Sequence, residues 1–220
     1  MIDLLSKEDG LIKSAAQSYR LAIKARDLAC RRGGRLVFSG IDISLASGEG
    51  LLLEGANGSG KTSLLRVLAG LVAREAGDIV VEGGNDEKTL GEQAHYVAHA
   101  DALKPQLSVA ENLRFWADYL GGGDVGAGLA AFGLAQIADL PAAFLSAGQK
   151  RKLALSRLVA VRRPVWLLDE PSVSLDKAAR DRLSDLMGQH MAQGGIIIVA
   201  THLDLGVAFH KRLEMSGRRA

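Results

Sequence analysis

Three features of the 220-residue sequence predict an α/β fold with a parallel sheet. Two of them are continuous apolar runs of strand length, Val165-Trp166-Leu167-Leu168 and Ile196-Ile197-Ile198-Val199-Ala200. Unbroken runs of this kind suit strands whose two faces are both covered. Between them, Lys177 to Gln193 sets Ala179, Leu183, Leu186 and Met187 along one helical face. Strand, helix, strand implies a right-handed parallel crossover. The third feature is Gly55-Ala56-Asn57-Gly58-Ser59-Gly60-Lys61-Thr62, which fits the phosphate-loop pattern in full. It follows the short apolar run Leu51-Leu52-Leu53 and precedes Ser63 to Leu71, where Leu64, Leu65, Leu68 and Leu71 recur at helical spacing.

The remaining elements follow in chain order. Residues 1–19 show no firm pattern and read as an N-terminal extension. Leu21 to Lys24 and Ile41 to Leu45 alternate like half-buried strands, separated by the turn-rich Arg31-Arg32-Gly33-Gly34. Asp78 to Glu82 reads as a strand ending in a Gly83-Gly84-Asn85 turn, and Tyr96-Val97-Ala98 as another. Ser108 to Leu120 opens with a capping box, Ser108 and Glu111, and is closed by Gly121-Gly122-Gly123. Leu129 to Leu140 is weakly helical, so the segment from about 100 to 146 reads as a helical insertion. A long helix is expected from Lys150 to about Arg162, extending the helical subdomain to about residue 160. Its basic residues Lys150, Arg151, Lys152, Arg157, Arg162 and Arg163 read as a solvated face. One domain over 20–216, with a tail at 217–220, completes the expectation.

The glycines of the phosphate loop let the backbone turn so that successive amides face phosphate oxygens. A helix starting near Lys61 adds its positive end. Gly55, Ala56, Asn57, Gly58, Ser59, Gly60 and Ser63 would form this cradle, with Lys61 reaching the β- and γ-phosphates and the Thr62 hydroxyl ligating Mg²⁺. The apolar run 165–168 ends in Asp169 and Glu170, at a strand's carboxyl end, where open α/β sheets place ligand groups. Asp169 would orient Mg²⁺ through a water, and Glu170 could polarise the water that attacks the γ-phosphate. Leu145-Ser146-Ala147-Gly148-Gln149 opens the helix that precedes this strand, a second helix start suited to an anion.

Composition narrows the partners. Net charge is +2, from 27 basic and 25 acidic residues, which supplies no global field for a nucleic acid. The single cysteine, Cys30, excludes an internal disulfide framework and reads as a small apolar residue. No run approaches the length needed to span a bilayer, and the acidic start (Asp3, Glu8, Asp9) lacks a signal-peptide core. His95 and His99 stand at a metal-ligand spacing only if helical, and they flank strand-like residues. Phe115 and Trp116 fit either a core or a surface that docks a partner's helix.

In their order, these segments resemble the ATP-binding cassette (ABC) ATPases: phosphate loop (Gly55–Thr62), signature (Leu145–Gln149), Walker B strand (Val165–Glu170), then Ser174-Leu175-Asp176 and Thr201-His202 as D-loop and switch histidine. The resemblance covers about residues 20–215. It implies a P-loop NTPase of ABC ATPase type, with a mixed sheet core, an antiparallel β part and a small helical subdomain. It also implies ATP and Mg²⁺ as cofactors and a head-to-tail homodimer in the ATP-bound state. In that dimer Ser146 and Gly148, beside Gln149, would contact the γ-phosphate held by the partner's loop, while His202 contacts it in cis. The sequence departs from the family pattern in three places. Position 147 is alanine instead of glycine; the coupling-loop glutamine is replaced by His99, which could meet the metal shell through water; and Arg31 and Arg32 occupy the region of the adenine-stacking aromatic. Leu28 to Gly33, Phe38-Ser39-Gly40, Tyr96 to His99, Glu111 to Trp116 and Leu145 to Gln149 together resemble the ATPase subunits of bacterial cytochrome c maturation systems. That resemblance implies a peripheral place on the cytoplasmic face of the inner membrane, with a permease subunit and a heme-handling membrane subunit. ATP hydrolysis there would drive heme export or release of a heme-loaded chaperone. The ATPase of another small-substrate transporter, or a non-transport ABC ATPase, is the alternative.

Overall fold

The computed structural model describes residues 19–216, and the expected extension before Tyr19 and the tail at 217–220 lie outside them. Strands β1 (Ala22–Arg32), β2 (Arg35–Leu45) and β4 (Ala76–Glu82) form an antiparallel sheet in the order β2-β1-β4. Strands β3 (Gly50–Glu54), β5 (Ala94–Val97), β6 (Val165–Asp169), β7 (Ile196–Ala200) and β8 (Lys211–Glu214) form a parallel sheet in the order β5-β6-β7-β3-β8. The helices are α1 (Lys61–Leu68), α2 (Val109–Tyr119), α3 (Val125–Ala131), α4 (Ala147–Ala160) and α5 (Lys177–Ala192).

The unbroken apolar runs are explained by burial on two sides. In β6, Val165 and Leu167 enter a core with β1, β2 and α1, while Trp166 and Leu168 enter a second core with α2, α3, α4 and α5. Alternate residues of a strand face opposite ways, and β7 divides likewise, with Ile198 in the first core and Ile197 and Val199 in the second. Each large side chain so buried stabilises the fold by about 1.5–3 kcal/mol. The capping box at Ser108 forms as expected, with Ser108 Oγ accepting from the Glu111 amide and Glu111 accepting from the Ser108 amide.

Four expectations need correction. First, β1 and β2 run much longer than the alternating stretches, because their hydrogen-bonded pairing carries polar Arg31 and Arg32 to the Gly33-Gly34 turn. Second, α1 ends at Leu68, leaving Leu71 63% exposed beyond it. Third, α3 starts at Val125, earlier than Leu129, because the Asp124 side chain caps it by accepting from the Ala127 amide at 2.9 Å. Fourth, the basic helix is not a solvated face throughout: Arg151 and Arg157 are buried. Strand β8, on the edge of the parallel sheet, was not anticipated; its exposed Lys211, Arg212 and Glu214 hide the pattern.

Two buried histidines make folding acid-sensitive. His95 lies inside β5, where its Nε2–H donates to the Val161 carbonyl at 2.8 Å, and burial holds its pKa down at about 3. His190 stacks on Trp166 with ring centroids 4.0 Å apart, and burial lowers its pKa to about 4. Both values lie below the roughly 6.5 of an unfolded histidine. Above that pH neither state is protonated; below it the unfolded chain takes up protons that the folded chain refuses, so stability falls. The slope approaches about 1.4 kcal/mol per pH unit for each histidine. Between pH 7 and 5.5 the pair should remove about 2–3 kcal/mol, read as a lower urea midpoint. His95→Gln should remove about half of that pH dependence; an unchanged dependence would contradict the assignment.

Candidate active site

The parallel sheet explains why distant segments meet. The loop after β3, the carboxylates at the end of β6 and the Thr201-His202 pair after β7 all leave the carboxyl edge, and β7 lies between the other two strands. His202 therefore stands between the phosphate loop and Glu170. Its Nε2 is 2.8 Å from Asn57 Oδ1 and 3.7 Å from Glu170 Oε1. The Thr201 hydroxyl donates to Glu170 Oε2 at 3.1 Å, so the carboxylate is held on both sides.

The loop has an anion receptor's geometry. Gly55 has φ 128°, and a side chain there would run into the Met215 carbonyl and Ser59 Oγ. Gly60, with φ 106°, begins α1 without any side-chain cap, unlike α2 and α4, which serines cap. The first-turn amides of α1 are thus left for a ligand. Lys61 is buried, and its Nζ folds back to donate to the carbonyls of Gly55 (2.5 Å) and Ala56 (3.0 Å). Among the described residues no ion pair includes it. A buried cation without a carboxylate favours an incoming anion. Ser59 Oγ is also buried without a partner among the described residues.

These groups line a cavity of about 600 Å³ that includes Asn57, Gly58, Ser59, Gly60, Lys61, Thr62 and Ser63 together with His99, Asp169, Glu170 and His202. Thr62 Oγ1 donates to Asp169 Oδ2 at 2.9 Å. Burial pushes the Asp169 carboxyl above its usual range, against the hydrogen bond from Thr62. A hydroxyl and a buried carboxylate side by side are hard oxygen donors, a set that fits Mg²⁺. Glu170 has φ 48°, left-handed for a residue with a side chain, at a cost of about 1–3 kcal/mol. His95 and His99 do not act together: His95 is inside β5, and His99 is in the cavity.

The ABC transporter family profile matches residues 38–173. This chain belongs to the ABC transporter family. A cytochrome c biogenesis ATP-binding export protein CcmA from Bradyrhizobium diazoefficiens is 56% identical over 85% of this chain and 94% of the relative. Its counterpart from Nitrobacter winogradskyi is 55% identical over 86% and 95%. The ATP-binding subunit of an ABC transporter superposes with TM-score 0.73 at 25% identity, covering 82% of this chain and 79% of that one. An ATP-binding cassette solved as a dimer with ADP and Pi superposes with TM-score 0.75 at 21% identity, covering 88% and 94%, a likeness of fold.

Ser146, Gly148 and Gln149, expected as signature residues, do not line the Lys61 cavity. Ser146 caps α4, its Oγ accepting from the Gln149 amide at 3.2 Å while Gln149 Oε1 accepts from the Ser146 amide at 2.9 Å. Gly148 packs against the Ser174 carbonyl, and Ala147 is exposed. Asp176 caps α5 and pairs with Lys152 at 2.6 Å. Arg31 does not reach the cavity; it bonds Glu75 and the Gly34 carbonyl, and Val37 lines the cavity in that region. Val37 and Thr201's grip on Glu170 escaped the sequence reading, because neither belongs to a charged or glycine-rich pattern.

Proposed function

We propose that this chain is the ATP-hydrolysing subunit of a membrane ABC complex that serves cytochrome c maturation, driving heme export or release of a heme-loaded chaperone. The observation that carries the reading is the phosphate loop, the Asp169-Glu170 pair and His202 gathered round one cavity, in a chain 56% identical to a cytochrome c biogenesis ATP-binding export protein. The loop amides and Lys61 hold the triphosphate. Thr62 and Asp169 would hold Mg²⁺, which would supply neutralisation of the phosphate charge. Glu170 accepts a proton from the water whose oxygen bonds the γ-phosphorus as the bond to the ADP oxygen breaks. His202, positioned by Asn57 and Glu170, faces the γ-phosphate. Ser146, Gly148 and Gln149 complete the site of a second copy, in an ATP-bound homodimer. That role accounts for their standing outside the lining of the Lys61 cavity in their own chain.

Among the described residues no helix is long and apolar enough to cross a membrane. We place the chain on the cytoplasmic face of the inner membrane, held by a permease subunit and near a heme-handling subunit. A groove floored by Tyr96, Trp116 and Arg157 and edged by exposed Leu71, Phe115 and Tyr119 suits a permease helix. The Arg157 guanidinium, 4.6 Å over the Trp116 ring and without a carboxylate partner among the described residues, favours an acidic group on that helix. Phe115→Asp should cut recovery of the permease about tenfold or more while leaving ATP binding intact; undiminished recovery would contradict the docking surface. Affinity purification of the full chain from native membranes should recover a permease and cytochrome c assembly proteins. Recovery of an unrelated permease would support the ATPase of another small-substrate transporter.

A further inference from the structure

We propose that Arg151 is a positioning residue for hydrolysis, holding the backbone on both sides of Glu170 and joining it to the helix that carries the signature. The inference rests on the role of Glu170 proposed above and adds a residue to it.

Arg151 lies in the second turn of α4 and is 3% exposed. A guanidinium has five N–H donors, and here every one is used. Nε donates to the Pro171 carbonyl at 3.0 Å. One terminal nitrogen donates to the Ala98 carbonyl at 2.7 Å and the Asp101 carboxylate at 3.0 Å, and the other to the carbonyls of Asp169 at 3.0 Å and Glu170 at 2.8 Å. Four of the five acceptors are backbone carbonyls, so the side chain fixes the course of two loops and, among the described residues, makes one ion pair.

The Asp169 carbonyl belongs to the peptide plane before the Glu170 Cα, and the Glu170 carbonyl to the plane after it. Holding both restrains the two backbone torsions of Glu170, whose φ of 48° is one that a side-chain-bearing residue adopts only under such restraint. The Glu170 amide donates to the Ala200 carbonyl at 2.8 Å, tying the same peptide to β7, which leads to Thr201 and His202. The contact at Ala98 fixes the residue before His99, which lines the cavity beside Asp169. One buried side chain thus sets the Glu170 carboxylate, the His99 approach and the start of α4 relative to one another. A small misplacement of a positioned base costs rate without costing affinity, because Arg151 itself lines no part of the cavity.

Arg151→Lys tests this. Lysine keeps the charge but has three donors radiating from one atom, so at least two of the five acceptors lose their partner. The variant, and Arg151→Met beside it, should be assayed as the full chain with its membrane partners. ATP bound per chain and the ATP KM should stay within about threefold, while the rate per bound ATP falls about tenfold or more. If Arg151→Met fails to accumulate as folded protein, Arg151→Lys carries the test alone. A purely structural role would lower ATP bound per chain in step with turnover and leave the rate per bound ATP unchanged; that result overturns the proposal. Single-turnover rates should also be non-additive with Glu170→Gln, since Arg151 acts through that residue; full additivity overturns it as well. The unsubstituted chain is the control: absent hydrolysis there would overturn the proposed function and this inference with it, whereas normal hydrolysis with unaffected Arg151 variants overturns only this inference.

Discussion

Glu170→Gln is expected to bind ATP as the unsubstituted chain does and to hydrolyse it on the order of 10²-fold more slowly, or worse. The amide keeps the size and the hydrogen bond from Thr201, which the structure places at 3.1 Å on one carboxylate oxygen. It cannot take a proton from the attacking water. Lys61 and the loop amides are untouched, so affinity should be preserved, and an ATP-bound dimer should accumulate because the reaction that would open it is blocked. Radiolabelled ATP retention beside phosphate release measures both quantities. Near-normal turnover would remove Glu170 from its role.

Lys61→Ala is expected to act on the other parameter. The ammonium is buried and spends its donors on two loop carbonyls, so its charge lies within the loop where phosphates would be cradled. A charge-assisted hydrogen bond contributes about 1.5–3 kcal/mol, so its loss should weaken nucleotide binding about 10- to 100-fold. Turnover at ordinary ATP concentrations should fall with it. Equilibrium binding of a fluorescent ATP analogue separates this from a folding defect when paired with the urea midpoint. Unchanged affinity would contradict the cradle.

Much of this site was legible in the sequence because its parts are local. A glycine-rich turn before a lysine, and two carboxylates after an apolar strand, declare their chemistry within a few residues. Burial on both faces was also legible, since β6 and β7 contain no polar residue before Asp169 and Thr201. What failed depended on partners far along the chain. Arg151 reads as one cation of a basic helix, yet four of its acceptors belong to residues 98, 169, 170 and 171. Strand β8 pairs with β3 across most of the sequence, and its charged residues carry no strand pattern. The length of β1 and β2 likewise came from pairing, with bulges that break the alternation a sequence reading relies on. Arg31 lies in sequence where a base-stacking residue is expected, yet its ion pair with Glu75, at 3.2 Å, engages its guanidinium elsewhere.

Phosphate release from ATP by the full chain, reunited with its membrane partners and titrated with Mg²⁺, tests the central claim most directly. The account predicts release that requires Mg²⁺, saturates with ATP, falls on the order of 10²-fold or more in the Glu170→Gln chain, and falls at ordinary ATP concentrations in the Lys61→Ala chain. A preparation that captures no nucleotide, or that releases phosphate equally well without Lys61 and Glu170, would contradict it.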